Sequence, residues 1–370
     1  MNEFHGVIFA YSAAPSLHEL VETRTAASLP FCGRYRLIDF ALSSMRNAGI
    51  RDVGVILKRD YQSLLDHIGS GKAWDMSLNS GGLRMLPPFG LSGYHTGDYE
   101  GTMEALNAIY GEIKRIPQKY VVLMQGSLVA NIDLNAAMEQ HIKSGLPVTA
   151  ICCTAPFSTP HYRYIPAEDG TAASLLLGCT DAAQGYTAME AYIVGKDTLL
   201  AMMERCRSLN QPLFHRDGIM RYLAEGGKMG IYLHKGYSAM VRSTECYYAA
   251  NMDALRPEVR RDLFPEDRPV RTRGQEEVST YYGEKAVSRN SLVADNCIIE
   301  GSVENCIIFS GVKVGRGAVL RNSIIMNDTV IGDNSVLDCV ISDKHCTMSE
   351  GTQLRGSEKL PFVIPNSSRI

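Results

Sequence analysis

Along residues 292–354 the chain repeats with a period of six. Val293 and Ile299 are followed by Ile308, Val314 and Leu320, then by Ile325, Ile331 and Leu337, six apart within each group and with one slip between groups. Between them stand small or turn-forming residues: Ala294-Asp295-Asn296, Gly315-Arg316-Gly317 and Gly332-Asp333-Asn334. Few folds accept this spacing. An aliphatic residue at every sixth position, with Gly, Asn or Asp nearby, describes a parallel β-helix. Each hexapeptide makes one flat side of a triangular coil, and its aliphatic side chain points inward to stack on the next coil. Ordinary antiparallel strands or a chance pattern would not hold this phase over three hexads in each of two groups. A handful of coils leaves exposed strand edges at both ends, a ready surface for self-assembly.

The preceding two thirds have a different rhythm. Residues 4–10, 53–57, 120–124 and 148–152 are short apolar runs rich in β-branched side chains, as buried parallel strands are. Helical patterns lie between them at 38–48, 102–116 and 134–144, with Gly49 as a stop after the first and Pro117 after the second. Strands alternating with helices predict a mostly parallel sheet covered by helices on both faces. Ligands of such sheets bind at the carboxyl ends of strands, here the loops after Ala10 and Met124. The stretch 252–281 carries Pro257, Pro265, Pro269 and mixed charge, and reads as a connector that wraps rather than packs. A chain of 370 residues is long enough for two domains. The predicted organisation is an α/β domain over 1–251, a linker over 252–283 and a β-helix over 284–370.

Bulk composition narrows the function. With 45% hydrophobic and 21% charged residues the chain is an ordinary globular protein, and a net charge of −3 gives no reason to expect nucleic acid. No cationic stretch precedes an apolar core at the amino terminus, and no apolar run approaches the ~18 residues that span a bilayer. A cytoplasmic location without membrane contact is expected. The ten cysteines include no C-x-x-C pair, and four (Cys297, Cys306, Cys339, Cys346) fall within the repeat. They read as buried reduced thiols, with no metal assigned to them. Many β-helices of this type are acyltransferases that use a histidine between coils; His345, the repeat's only histidine, keeps that activity as a minor alternative.

At the first predicted ligand loop, chemistry is missing. Enzymes that bind nucleotide phosphates after the first strand use a glycine-rich turn whose free N–H groups cradle the anion. Here the turn is Tyr11-Ser12-Ala13-Ala14-Pro15-Ser16-Leu17, with no glycine, and Pro15 has no N–H at all.

The segment Leu29-Pro30-Phe31-Cys32-Gly33-Arg34-Tyr35-Arg36-Leu37-Ile38-Asp39-Phe40-Ala41-Leu42-Ser43 resembles the PFGGKFRIIDFALSN segment of bacterial ADP-glucose pyrophosphorylases (glucose-1-phosphate adenylyltransferases). His67-Ile68-Gly69-Ser70-Gly71-Lys72-Ala73-Trp74-Asp75, Leu86-Pro87-Pro88 and Tyr99-Glu100-Gly101-Thr102 are similar to the same family. The resemblance implies a Rossmann-like, GT-A-like nucleotidyltransferase domain followed by a left-handed parallel β-helix. It also marks what has been lost. Ser16 stands where active members carry the arginine that neutralises the triphosphate, and Ala26 where R-A-K-P supplies a lysine. The metal-binding aspartates of A-G-D and R-D-V-G-T fall on Ser127 and Met240, and the E-K-P motif has no counterpart between Ile151 and Met189. Adenylyl transfer depends on positioning and on charge neutralisation by Mg²⁺, Lys and Arg, and Mg²⁺ demands hard anionic oxygens. The catalytic residues of this chain are therefore expected to be none, with Tyr11, Ser16, Ala26, Ser127 and Met240 as degenerate positions.

This pattern resembles the GlgD-type, non-catalytic subunits of that family. The resemblance implies a regulatory or assembly role in glycogen biosynthesis, in a hetero-oligomer (a tetramer) with a catalytic subunit that holds Mg²⁺ and ATP. This chain is expected to bind no cofactor or metal itself. The alternatives are a weakly active adenylyltransferase or a nucleotidyltransferase for another sugar nucleotide. Arg24, Arg34 and Arg36 match a basic stretch that contributes to an effector site between the two domains of catalytic subunits, which makes an anionic metabolite a candidate ligand. Equally, these arginines could pair with Glu22 and Asp39. Gly101, Thr102, Glu104 and Gly126 are candidate remnants of the sugar-nucleotide pocket; Gly101, Thr102 and Glu104 also read as an ordinary helix start. His215-Arg216-Asp217-Gly218 is similar to an acidic turn of the family or a plain helix start.

Overall fold

The computed structural model describes residues 3–11, 16–78, 81–87, 99–180, 184–274 and 278–370. Ser12–Pro15 and Pro88, named above, lie outside them. The first strand, β1 (Phe4–Phe9), is buried at every position, and its neighbours alternate between two cores. Ile8 faces a cluster with Leu42, Met45 and Val55, while Val7 and Phe9 face one with Met103, Leu106 and Leu199. The continuous apolar run follows from burial on both faces.

β1 pairs in parallel with β2 (Val53–Ile56) and with β4 (Tyr120–Gln125), and β3 (Leu83–Leu86) extends the parallel run beyond β2. Five further strands complete a nine-stranded sheet: β5 (Val148–Cys153), β6 (His161–Pro166), β7 (Ala172–Cys179), β8 (Tyr186–Gly195) and β9 (Met229–Leu233). The sheet is mixed rather than mostly parallel, because β8 runs antiparallel to β4, β5 and β6. No helix is described between β5 and β8, and parallel neighbours need a crossover of roughly a dozen residues or more. The helix expected over 102–116 divides into Thr102–Ala108 and Tyr110–Arg115. At the break the buried Ile109 donates to the carbonyl of Leu106, a tighter turn than the α-helix makes.

The repeat forms a left-handed β-helix of three parallel five-stranded sheets. Val314, Ile331 and Met348 stack seventeen residues apart, which is three hexads less the slip seen in the sequence. Ile299, Leu320, Ile325 and Leu337 are all buried in its core. The corners are left-handed turns at Asn296, Asn305, Asn322 and Asn334, a conformation asparagine tolerates best after glycine. Along one corner the amides form a ladder, Asn290 to Asn305 at 2.7 Å and Asn305 to Asn322 at 3.3 Å, which Asp338 accepts at 3.0 Å. Only one end of the coil is open as expected. The carboxyl-terminal residues fold back on the last coil, where Ile370 donates to Thr347 at 2.9 Å, whereas Tyr281 and Val287 of the first coil stay exposed. His345 is exposed on a corner 3.6 Å from Asp328.

The stretch 252–281 packs in its first half and wraps in its second. Helix Pro257–Leu263 buries Val259 and Leu263 in a cluster shared by both domains. Beyond it, the Arg271 carbonyl accepts from the indole of the buried Trp74 at 3.1 Å, and Asn131 donates to the carbonyls of Leu263 and Arg268.

That shared cluster joins the two units. Leu17, Leu29, Phe31 and Phe40 of the α/β domain pack with Ile307, Phe309, Ile324 and Ile341 of the coil. The PFCGRYR segment makes a hairpin, Pro30–Phe31 against Tyr35–Arg36, with Gly33 at its turn. Gly33 has φ +75°, and a Cβ there would stand 3.4 Å from the Ile308 carbonyl of the coil. Tyr247 donates to the Pro30 carbonyl at 2.6 Å, and Tyr248 to the Asn322 carbonyl at 2.7 Å. One ion pair is buried in this seam: Arg24 with Asp343, whose side chains are 4% and 1% exposed. Removing one member of such a pair strands the other charge, so Asp343→Ala should cost about 3–5 kcal/mol in denaturant unfolding. Replacing both partners together (Arg24→Met with Asp343→Leu) should recover much of that loss.

Candidate functional site

A pocket of about 520 Å³ opens at the carboxyl ends of β1, β2 and β4. It collects residues far apart in sequence: Tyr11, Lys58, Gly101, Thr102, Ser127, Tyr162, Glu190, His215, Met240 and Arg242 all line it. The strand ends therefore converge where the α/β pattern placed the ligand. A larger, shallower hollow of about 770 Å³, lined by Asn131, His234 and Arg268, contains none of the candidate site residues.

Of the twelve candidate site residues, five meet in the pocket, namely Tyr11, Gly101, Thr102, Ser127 and Met240. Ser127 and Met240 are 4% and 3% exposed and touch each other, hydroxyl to thioether, at 3.7 Å. They are held there by a short antiparallel ribbon, Leu128–Val129 against Ala239–Met240. A thioether and a hydroxyl offer Mg²⁺ almost no ligand strength. Among the described residues, no group of three or more His, Cys, Asp or Glu could hold a metal. Tyr11 packs on Phe9 and Tyr99, with ring centroids 6.3 and 5.7 Å away, and burial pushes its phenol pKa up.

The other candidates lie outside the pocket. Ser16 is exposed, and its carbonyl accepts from Thr244 at 3.0 Å. Ala26 is buried in the inter-domain cluster. Gly126 is a packing glycine: its N–H donates to the Phe9 carbonyl at 2.8 Å, and a Cβ would stand 2.9 Å from that of Ala27. Gly101, Thr102 and Glu104 begin a helix whose first N–H groups are taken. The Pro212 carbonyl accepts from Met103 at 2.9 Å and from Glu104 at 3.3 Å, and the Glu104 carboxylate accepts from the Glu100 N–H at 2.7 Å. The helix-start reading describes these residues.

Nor do the three arginines share one role. Arg24 pairs with Asp343 of the coil rather than with Glu22 or Asp39. Arg36 donates to the carbonyl and hydroxyl of Ser63 at 2.6 and 2.9 Å, while its backbone N–H reaches Asp39 at 2.9 Å. Asp39 is fully buried, and its other oxygen pairs with His67 at 2.6 Å. Arg34 is exposed near the hairpin turn. Burial lowers the Arg36 pKa to about 10, with Arg24 and Arg273 adding to the effect. Burial likewise lowers Lys344 to about 8, helped by Arg36 and Arg24. Arg36, Arg24 and Lys344 thus form a cationic group at the seam.

Sequence reasoning missed Glu190 and Arg242, which form an ion pair at the pocket. Part of the signal was present, since Glu190 is a lone charge inside an apolar run and a buried charge needs a partner, whereas Arg242 only ends one, before Ser243-Thr244-Glu245. His215 begins a π-helical turn, Phe214–Met220, and stacks on Tyr162 with ring centroids 3.9 Å apart.

The fold and site define a nucleotidyltransferase-type α/β domain joined to a hexapeptide β-helix. Residues 6–238 match the nucleotidyl transferase family and residues 276–359 the GlmU-like C-terminal hexapeptide family. Over 98% of its length the chain is 32% identical to the glycogen biosynthesis protein GlgD of Bacillus subtilis (strain 168), covering 96% of that protein. It is 34% identical to GlgD of Geobacillus stearothermophilus, again over 98% and 96% of the two chains. A glucose-1-phosphate adenylyltransferase of Bacillus anthracis is 28% identical over 97% of this chain and 96% of its own. The chain belongs to the ADP-glucose pyrophosphorylase (glucose-1-phosphate adenylyltransferase) family, on its GlgD branch. The ten cysteines are all free, and nine are buried. Among the described residues no helix is long and apolar enough to cross a membrane.

Tyr192 receives a hydrogen bond from Tyr164 at 3.1 Å and meets Nε2 of His215 at 2.8 Å, an arrangement that a neutral imidazole completes. Burial pushes the His215 pKa from 6.5 down to about 3. Between those values the unfolded chain binds a proton that the folded chain does not, so stability falls as pH drops through this window. Lowering the pH from 7 to 5 should cost the native protein about 2 kcal/mol through this group alone. Denaturant unfolding of His215→Gln at the two pH values should show a loss smaller by that amount.

Proposed function

We propose that this chain is a non-catalytic subunit in the synthesis of ADP-glucose for glycogen. In this reading it assembles in the cytoplasm with a catalytic adenylyltransferase subunit and modulates its activity. The observation that carries the proposal is the contact between Ser127 and Met240. Where the family motifs place two carboxylates, this chain places a hydroxyl against a thioether, and the surrounding residues do not fit Mg²⁺. ATP and Mg²⁺ belong to the partner's site in this reading. Losing one preorganised electrostatic group typically costs ~10²–10³ in rate, and the losses here fall within one active site, where they do not simply multiply. The relatives named GlgD and their match over nearly the whole chain support the glycogen assignment. Assay of the purified chain with ATP, glucose 1-phosphate and Mg²⁺ should give no turnover within about a hundredfold of the median enzyme rate, ~10 per second. Turnover in that range would establish the alternative, a weakly active adenylyltransferase, which the open pocket of about 520 Å³ favours. Co-purification with a catalytic subunit, and a change in that subunit's rate when this chain is added, are the positive outcomes.

The second part of the proposal is an anionic effector at the seam. Burial, with repulsion from Arg24 added to it, lowers the pKa of Arg36 and Lys344, and a bound anion would favour their charged forms. Arg24 is engaged with Asp343, so Arg36 and Lys344 are the ligand-facing candidates and Arg24 the link to the coil. Equilibrium binding of fructose bisphosphate, AMP or phosphate should weaken in Arg36→Ala; unchanged binding would reject the assignment.

A further inference from the structure

The pocket contains a buried charge pair in an improbable place. Glu190 lies within β8 between the buried Met189 and Ala191, where the register against β5 slips between Ala188 and Ala191. Its φ is +51°, a region L side chains seldom enter, and its side chain is 7% exposed. Strain and desolvation both oppose a carboxylate there. Arg242 compensates it, and Nη1 of Arg242 also donates to the Pro160 carbonyl at 3.1 Å. With Met240 at the aspartate of R-D-V-G-T, Arg242 falls on the motif's glycine, so the guanidinium is an addition to this pocket. The other lining cations are also engaged. Lys58 donates to the Tyr99 carbonyl at 2.9 Å, and Arg216 holds Asp217 at 2.7 Å.

We propose that Glu190 and Arg242 set the ligand specificity of this pocket. The Glu190 carboxylate occupies the place at Arg242 that a ligand phosphate would take, and the pair excludes phosphorylated sugars and nucleotides. An entering phosphate has to displace a carboxylate that then remains buried and unpaired, and that carboxylate repels it throughout. Without Glu190, Arg242 presents a free planar fork of donors suited to phosphate. The inference rests on the non-catalytic reading, since a chain that turned over glucose 1-phosphate would have to bind it, and its test reads binding alone.

Calorimetric titration with glucose 1-phosphate, without divalent metal, tests it. The native chain should show no saturable binding at millimolar ligand. Glu190→Gln and Glu190→Gly should each bind at least about tenfold more tightly than the native chain, as a freed charge-assisted hydrogen bond provides, and less tightly as salt rises. Glycine suits the positive φ, so Glu190→Gly keeps its fold if Glu190→Gln does not. Adding Arg242→Gln to either should abolish the gain. The proposal fails if the native chain binds as tightly as the variants. It fails also if Glu190→Gly, shown folded by its circular dichroism melt, binds no better than the native chain.

Discussion

The two halves of this protein depend on one seam, an apolar interface with, among the described residues, a single buried ion pair. Phe31, Phe40, Phe309 and Ile324 supply the area, and burial of this kind is non-directional. Arg24 and Asp343 supply the direction. Their charges are 319 residues apart in sequence and nearly inaccessible to water, so only one relative placement of the domains satisfies both. The net stability from such a pair is small, but the penalty for separating it is large. The hairpin carrying Gly33 and the helix carrying Tyr247 and Tyr248 reinforce that placement through carbonyls of both domains.

That dependence explains why the family's outline is kept at the seam. The PFCGRYR segment reaches the coil, and its constraints are those of packing, which remain whether or not a phosphate is ever transferred. The pocket is under a different constraint. Its walls are the ends of strands that the core already fixes, so it stays open when its charged groups change. Ser127 and Met240 fill the floor with groups that contact each other, and Glu190 and Arg242 neutralise each other at the wall. Each replacement is locally compensated. A site assembled by removing charges at random would leave buried groups unpaired.

The cationic group at the seam lies between these two regimes. Burial is the main cause of the lowered Lys344 pKa, and the nearby Arg36 and Arg24 add to it. Arg24 ties the same region to Asp343 in the coil. Arg24 thus belongs both to this cationic group and to the contact on which domain placement rests.

The sequence by itself determined the β-helix, because a six-residue period is a local geometric property that survives without knowledge of partners. It determined the buried strands for the same reason, and the hydroxyl at Ser127 and the thioether at Met240 could be read residue by residue. It also placed Gly49 and two of the left-handed corner asparagines, Asn296 and Asn334, where backbone conformation restricts the residue type. Tertiary structure alone decided which side chains meet. The mixed direction of the sheet came from missing crossovers, not from any strand's own composition. Arg24 found its partner in Asp343 and not in its sequence neighbours, and the helix start at Thr102 met the Pro212 carbonyl where an anion had been considered. Glu190 was visible only as an isolated charge in an apolar run, and Arg242 as a charge at the end of one. Pairing is a long-range property, and a charge carries no local mark of the residue that will neutralise it.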